Sequence, residues 1–461
     1  MPKFIKNFDE LIDVARNEKD KKARELALNC VEAALSAVDP RNAVYRTVKV
    51  HGETLVINDL KFDLKDIGNI YVIGGGKASG AMAEAIEKVL GDLIKKGVVN
   101  VLKGTEKSFK VRKIKLVGAT HPIPSEIGVS GVREMLKIAE KAGENDLVIV
   151  LISGGGSALM PMPAPPVTLE EKKKVTQLLL KCGATINEIN AVRKHISGFK
   201  GGQLARAIYP ATTVALIISD VVGDPLDTIA SGPTAPDTTT FHDAYKVLTF
   251  YNIIKDVPKS VRERIERGLK GEIPETPKPG DKIFKKVHNI IIANNKTACR
   301  AAEEKAKEYG ANTMILSTFI EGEARHVGTV LAGIVREIHK FNEPIKKPVV
   351  IILGGETTVT VTGKGKGGRN QELVLSSAIR IRGLEGTAIL SIGTDGIDGI
   401  TDAAGGIVDS TTMDRGIENG LDILDYLSNN DSYSYLKKTG DLVITGPTGS
   451  NVNDIMLIVL V

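Results

Sequence analysis

The sequence predicts an α/β protein of two domains, and three observations carry that reading. Short apolar, largely β-branched runs recur along the chain: Ile70 to Ile73, Leu147 to Ile152, Val214 to Ile218, Ile290 to Ile292, Met314 to Leu316, Val349 to Leu353, Ala388 to Ile392 and Leu442 to Ile444. Unbroken runs mark strands covered on both faces, as in parallel sheets flanked by helices. Helical spacing follows the first run, with apolar residues at Met82, Ala85, Ile86, Val89 and Leu90. The length of 461 residues, at roughly 100 to 200 residues per domain, allows two or three domains.

The strands fall into two groups. Between about Lys255 and Lys286, Pro and charged residues replace the apolar runs, which places a boundary there and predicts domains over 1–280 and 285–461. Pro161 to Pro166 cannot form a helix or a central strand and is expected as an ordered loop. Thr358 to Thr362 reads as a further strand. The segment from Leu442 onward reads as two strands joined by a Gly/Pro loop, which predicts a mixed second sheet.

Composition excludes several classes. Lys and Arg number 61 against 56 Asp and Glu, a net charge of +5, and no Trp is present, so the chain lacks the basic excess and stacking platforms of a nucleic-acid binder. Cys30, Cys182 and Cys299 are an odd, scattered set that argues against a disulfide framework. Leu147 to Ile152 and Ile455 to Val461, the longest aliphatic stretches, fall far short of the about 20 residues of a membrane-spanning helix. With a charged N-terminus and no apolar leader, a cytoplasmic protein without nucleic-acid or membrane partners is expected. A homodimer is left open.

Ligands of open α/β sheets bind beyond the carboxyl ends of the strands. After Ile73 comes Gly74-Gly75-Gly76-Lys77-Ala78-Ser79, and after Ile152 comes Ser153-Gly154-Gly155-Gly156-Ser157. Glycines followed by a helix N-terminus suit phosphate or carboxylate, and Lys77 opposes the helix dipole unless an anion offsets it. Neither loop is a Walker A sequence. Asp220, at the end of the third run, can hold Mg²⁺ or accept a hydroxyl proton, and Asp224 precedes Pro225 in a turn. Arg193, Lys194 and Lys200 fall off the apolar stripe of Ile189, Val192 and Ile196, so a solvated basic face is the default. Gly363, Gly365 and Gly368 match G-x-G-x-x-G weakly, and the flexible stretch predicts a mobile loop carrying Arg369 to a phosphate or carboxylate. Asp395, Asp398 and Asp402 follow Ile392 and can bind a cation or orient a polar ligand.

Together these loops resemble the glycerate kinase family that forms 2-phosphoglycerate, whose C-terminal half is the MOFRL domain. The resemblance rests on Gly-Gly-Gly-Lys-Ala-Ser at 74–79, His-Pro-Ile-Pro at 121–124, Ser-Gly-Gly-Gly-Ser-Ala-Leu at 153–159, Asn190 through Lys194 with Lys200-Gly201-Gly202, Ser-Asp-Val at 219–221, Ala-Ser-Gly-Pro-Thr at 230–234, Gly-Gly-Glu-Thr at 354–357, Gly-Gly-Arg-Asn-Gln-Glu at 367–372 and Thr-Asp-Gly-Ile-Asp-Gly at 394–399. It implies a Rossmann-like first domain with a largely parallel sheet and helices on both faces, a smaller mixed second domain, and an active site in the cleft between them. It further implies transfer of the γ-phosphoryl group of ATP to the 2-hydroxyl of D-glycerate with Mg²⁺, giving 2-phospho-D-glycerate and ADP. On the matching positions, Lys77, Asp220 and Arg369 are expected to be catalytic. Gly74, Gly75, Gly76, Ser79, Ser153, Gly154, Gly155, Gly156, Ser157 and Lys200 are expected on the nucleotide, and Arg193, Asn370, Glu356 and Asp395 on the substrate. Asp220 and Asp224 are expected on the metal. The rival reading is an NAD(P)H-dependent hydroxypyruvate reductase, supported only by the weak glycine match.

Overall fold

The computed structural model describes residues 4–461. Its chain divides into two compact units, Pro40–Ile292 and the residues through Asp39 together with Ala293–Val461.

The unit Pro40–Ile292 contains β1 (Ile70–Gly75), β2 (Ile94–Leu102), β3 (Ile114–Ala119), β4 (Leu147–Ile152), β5 (Thr212–Ile218) and β6 (Val287–Ala293), in the order β3-β2-β1-β4-β5-β6. The pairings from β3 through β5 are all parallel. This is the doubly wound order, in which the order of strand addition reverses between β1 and β4 and opens a crevice at their carboxyl ends. Buried Val98, Val148, Val150 and Ala215 pack with Val132, Met135 and Ile138 of the helix Glu126–Ala139 on one face. Because the sheet is covered, β4 is buried at all six positions. A three-stranded antiparallel meander over Val48–Asp63 precedes it.

The other unit contains β7 (Asn312–Ile320), β8 (Val349–Gly355), β9 (Thr387–Gly393), β10 (Gly405–Asp409), β11 (Leu442–Val443) and β12 (Asp454–Leu460), ordered β7-β8-β12-β9-β10-β11. Only β7 and β8 pair in parallel, and β12 lies antiparallel between β8 and β9. The sheet is therefore mixed, as the terminal pair of runs predicts. Helices Ala324–Phe341 and Arg369–Ile381 pack on each other, and helix Glu18–Ala37 packs on β9 and β12.

Thr358 to Thr362 is not a strand. It makes one isolated bridge, Glu323 with Thr358, and Thr360 donates its amide to the Glu323 carboxylate instead of a neighbouring strand. β2, β3 and β10 lie outside the apolar runs. The helix Glu18–Ala37 belongs with the second sheet, a long-range pairing that composition along the chain does not show.

Candidate functional site

In the unit Pro40–Ile292, Gly75 pairs with Ile152, so the two triple-glycine loops leave the sheet side by side. Glycine is required where they touch. A Cβ on Gly74 would overlap the Leu151 carbonyl and one on Gly76 would overlap Ser153, and both residues have positive φ, +138° and +153°. Lys77 N donates to the Gly154 carbonyl at 2.8 Å and Gly76 N to the Asn100 carbonyl at 3.2 Å. Ala78 N donates to Ser153 Oγ at 3.1 Å, and Ser79 Oγ lies 3.1 Å from the same oxygen. Ser79 and Ser153 are buried and hold the loops together. The amides of Gly76, Lys77 and Ala78 therefore form no open cradle, contrary to the sequence expectation. The first loop presents the exposed Lys77 side chain, which makes no hydrogen bond within the described residues. Gly155 (φ +76°) caps a helix of only four residues, Gly156–Leu159, far shorter than an anion-binding helix.

Three side chains from separate loops surround this second glycine loop. A Cβ on Gly154 would overlap the Asp220 carboxylate, and one on Gly155 would lie 3.0 Å from the His121 ring and 3.2 Å from Lys77 Cγ. Asp220 arrives there because β5 pairs with β4, Ile217 beside Ile152. Burial, and then the Lys77 charge, push the His121 imidazole below its ordinary pKa. His121 belongs to the His-Pro-Ile-Pro motif but not to the expected site residues. Asp224 occupies a left-handed turn with φ +57° and donates its amide to Val221. Among the described residues no group of three or more His, Cys, Asp or Glu could hold a metal alone. One or two carboxylates do fit Mg²⁺, which completes its shell from phosphates and water. Ser157 Oγ lies 2.9 Å from Ser231 Oγ, which donates to Asn190 Oδ1 at 3.1 Å.

The basic residues after Asn190 are not a solvated face. Lys194 is 2% exposed and bonds Asp227 at 3.0 Å and Asp237 at 3.3 Å. Lys200 is equally buried, and its Nζ donates to the Gly156 carbonyl at 3.0 Å. Arg193 is half-buried. The apolar stripe gives no hint of this, because the loops folded over the helix Ile186–His195 are remote in sequence.

In the other unit, Glu356, Arg369 and Asp395 line one cavity of about 630 Å³, whose wall also includes Val361, Ile397 and Ile400. Arg369 is not on a mobile loop. It opens the helix Arg369–Ile381, donating Nε and Nη2 to Asp454 at 2.6 and 2.9 Å and Nη1 to Glu356 at 2.6 Å. Burial pushes the Asp454 carboxyl up to about 7 against the pull of Arg369, whose own guanidinium stays charged. The sequence signal for Asp454 is an acid opening an otherwise apolar strand. Asn370 is buried, receiving Ser391 Oγ and donating toward Asp398. Asp398 also accepts the amides of Asn370 and Gln371 at 3.2 and 2.9 Å, so it caps the helix that carries Arg369. Asp395 accepts the Ile397 amide. Gly363 and Gly365 pack against the main chain of Asn429 and Asp431, and the residues from Glu356 that lead into them form no strand. The glycine match is therefore not a dinucleotide fingerprint.

Comparison with known proteins accounts for both units. Residues 26–266 match a domain of unknown function, DUF4147, and residues 349–454 match the MOFRL family. A glycerate 2-kinase of Pyrococcus horikoshii is 48% identical over 95% of this chain and 97% of its own length. The crystal structure of a glycerate kinase from Thermotoga maritima superimposes with a TM-score of 0.86 at 43% identity, covering 95% of this chain and 99% of that one. A protein of Agrobacterium vitis carrying a hydroxypyruvate reductase name is 40% identical over 96% of this chain and 95% of its own. Identity of this extent across both units shows that the chain belongs to the glycerate 2-kinase family with a MOFRL domain.

Proposed function

We propose that the protein transfers the γ-phosphoryl group of ATP to the 2-hydroxyl of D-glycerate, with Mg²⁺. The observation that carries this reading is the convergence of Lys77, His121 and Asp220 on Gly154 and Gly155, in a chain similar over its length to a glycerate 2-kinase. The hydroxyl oxygen attacks the γ-phosphorus and the bond to the β–γ bridging oxygen breaks. The hydroxyl proton passes to a base, and ADP leaves. Asp220 is proposed for that base or for the metal, with Asp224 as a second metal carboxylate, and Lys77 for phosphate charge. Mg²⁺, held by Asp220 and Asp224, would offset the charge of the phosphates. Arg369, with Glu356 and Asp395 in the same cavity, is proposed to meet a phosphate or carboxylate. Preorganisation suits that role, since a guanidinium already fixed by Asp454 need not be reoriented during reaction.

The test is incubation with D-glycerate, ATP and Mg²⁺, followed by ³¹P NMR. Growth of 2-phosphoglycerate and ADP is expected. The 3-phosphate would overturn the regiochemistry, and no product from folded, metal-replete protein would overturn the kinase. Hydroxypyruvate with NADH or NADPH, run in parallel, is expected to give no turnover.

A further inference from the structure

The segment from Asp220 to Gly232 grips the second glycine loop at three points. Asp220 lies against Gly154, and Ala230 lies against Gly156, where a Cβ would come within 2.8 Å of the Ala230 methyl. Ser231 Oγ lies 2.9 Å from Ser157 Oγ. Ser231 has one hydroxyl proton and gives it to Asn190 Oδ1 at 3.1 Å, so Ser157 is the donor to Ser231. The bonds therefore run in one direction, from the glycine loop through Ser231 into the helix Ile186–His195. The carbonyls of Ser231 and Gly232 accept the amides of Gly201 and Gly202 at 3.0 and 2.7 Å, which ties a third piece of chain to the same turn. That turn is left-handed. Ala230, Ser231 and Gly232 follow one another at φ +51°, +60° and +60°, and the Ser231 and Gly232 amides donate to the Thr228 and Ile229 carbonyls at 2.9 Å. Residues with a Cβ enter this region singly and at a cost, whereas Gly enters it freely. Ser231 is buried, so the conformation is imposed by packing and not adopted at an exposed loop tip.

We infer that Ala230 and Ser231 are positioning residues for the reaction, their left-handed turn setting where the Gly154–Ser157 loop sits and hence the spacing of Lys77, His121 and Asp220 around it. The inference rests on the kinase reading for the reaction and adds residues that none of the expected site sets contains. Strained backbone persists where surrounding contacts over-determine it, and such places cluster at sites that need fixed geometry. Here the contacts are the Ala230 methyl on Gly156, the Ser157–Ser231–Asn190 bonds and the Gly201 and Gly202 amides. Relaxing Ala230 or Ser231 to negative φ would redirect the chain and carry the methyl and the hydroxyl away from the glycine loop. Asp220 and the turn belong to one short segment, so the same movement would shift that carboxylate against Gly154.

Two measurements on the whole protein test this. Amide hydrogen exchange without ligand reads the loop itself, where the Gly156, Ala158 and Leu159 amides are bonded, and steady-state phosphorylation of D-glycerate reads the consequence. Ala230→Gly removes the methyl while suiting the left-handed backbone, and Ser231→Ala removes the hydroxyl between Ser157 and Asn190. Both are expected to speed exchange over 154–159 and to lower kcat by about tenfold to a hundredfold, with kcat/KM falling in proportion. The thermal midpoint of Ala230→Gly should nonetheless stay at or above that of wild type, and Ala230→Ser, which keeps the Cβ, should match wild type in both readouts. Unchanged exchange over 154–159 in the folded variants overturns the inference whatever the activity, and so does faster exchange with unchanged kcat. A midpoint that falls in step with kcat in Ala230→Gly also overturns it, since the turn would then be ordinary packing. If Ser231→Ala fails to fold, Ala230→Gly decides alone. Wild-type protein without kinase activity would sink the kinase reading, and exchange would still decide whether the turn holds the loop.

Discussion

Lys77 and Lys172 are lysines of one unit with opposite surroundings, and each variant has its own signature. The Lys77 side chain is exposed and unbonded among the described residues, so Lys77→Ala is expected to leave the thermal midpoint within about 1 °C, a surface change worth under about 0.5 kcal/mol. Steady-state kinetics should nonetheless show kcat falling by about 10²–10³, the scale of losing one preorganised charge-stabilising donor. Lys172, pressed to about 7 from an ordinary 10.5 by burial and Arg193, contributes in the other sense. Between those two values the unfolded chain holds a proton that the folded chain lacks, so stability rises with pH across the window. Urea denaturation at pH 7, 8.5 and 10 should show that rise in wild type and a flatter profile in Lys172→Met. The Lys77 loop was legible from the sequence as three glycines and a cation after an apolar run. Lys172 was not, because Glu-Glu-Lys-Lys-Lys reads as a solvated helix face and only the tertiary packing distinguishes its middle charge.

The helix Arg369–Ile381 begins with buried Asn370 and Gln371 amides that no residue of the helix can satisfy. Asp398 accepts both, from a turn beyond β9, and burial raises its carboxyl above the ordinary range despite these bonds. Asp398→Ala leaves the donors unmatched and is expected to cost about 1–3 kcal/mol, seen as a lower denaturation midpoint and faster amide exchange over 369–374. The sequence resolved the existence of elements better than their edges or partners. β4 was read to the residue, since six apolar positions between Asp146 and Ser153 leave no choice. β2 escaped because Lys95, Lys96 and Gly97 interrupt its apolar content at the exposed beginning of the strand. β10 escaped because Gly405 and Gly406 look like a loop, although glycine is needed there: a Cβ on Gly405 would overlap the Ser391 carbonyl of the paired strand. The Thr358–Thr362 alternation met the local pattern of a strand but found no neighbour to complete a ladder.

At the scale of the molecule the described residues through Asp39 and Ala293–Val461 form one unit, and buried charge fastens them. Arg24 is fully buried and bonds the Leu11 carbonyl, Asp409 and Asp441, while Arg415 reaches the same two carboxylates at 3.0 and 2.7 Å. Against burial, Arg24 and Arg415 hold the Asp409 carboxyl down at about 2. Removing one partner from such a group strands its counter-charges, so Arg24→Met is expected to lose about 3–5 kcal/mol in guanidinium denaturation. No apolar periodicity in the helix Glu18–Ala37 announces this, for Arg24 lies among Lys21, Lys22 and Glu25. The consequence reaches into biosynthesis. On the ribosome the Arg24 helix is made before the unit Pro40–Ile292, yet the carboxylates that match it and the central strand β12 are made after that unit. The unit Pro40–Ile292 can fold while synthesis continues, but the helix must wait unpaired until Asp409 and Asp441 have been made, and a fragment beginning at Ala293 would need that helix supplied in trans.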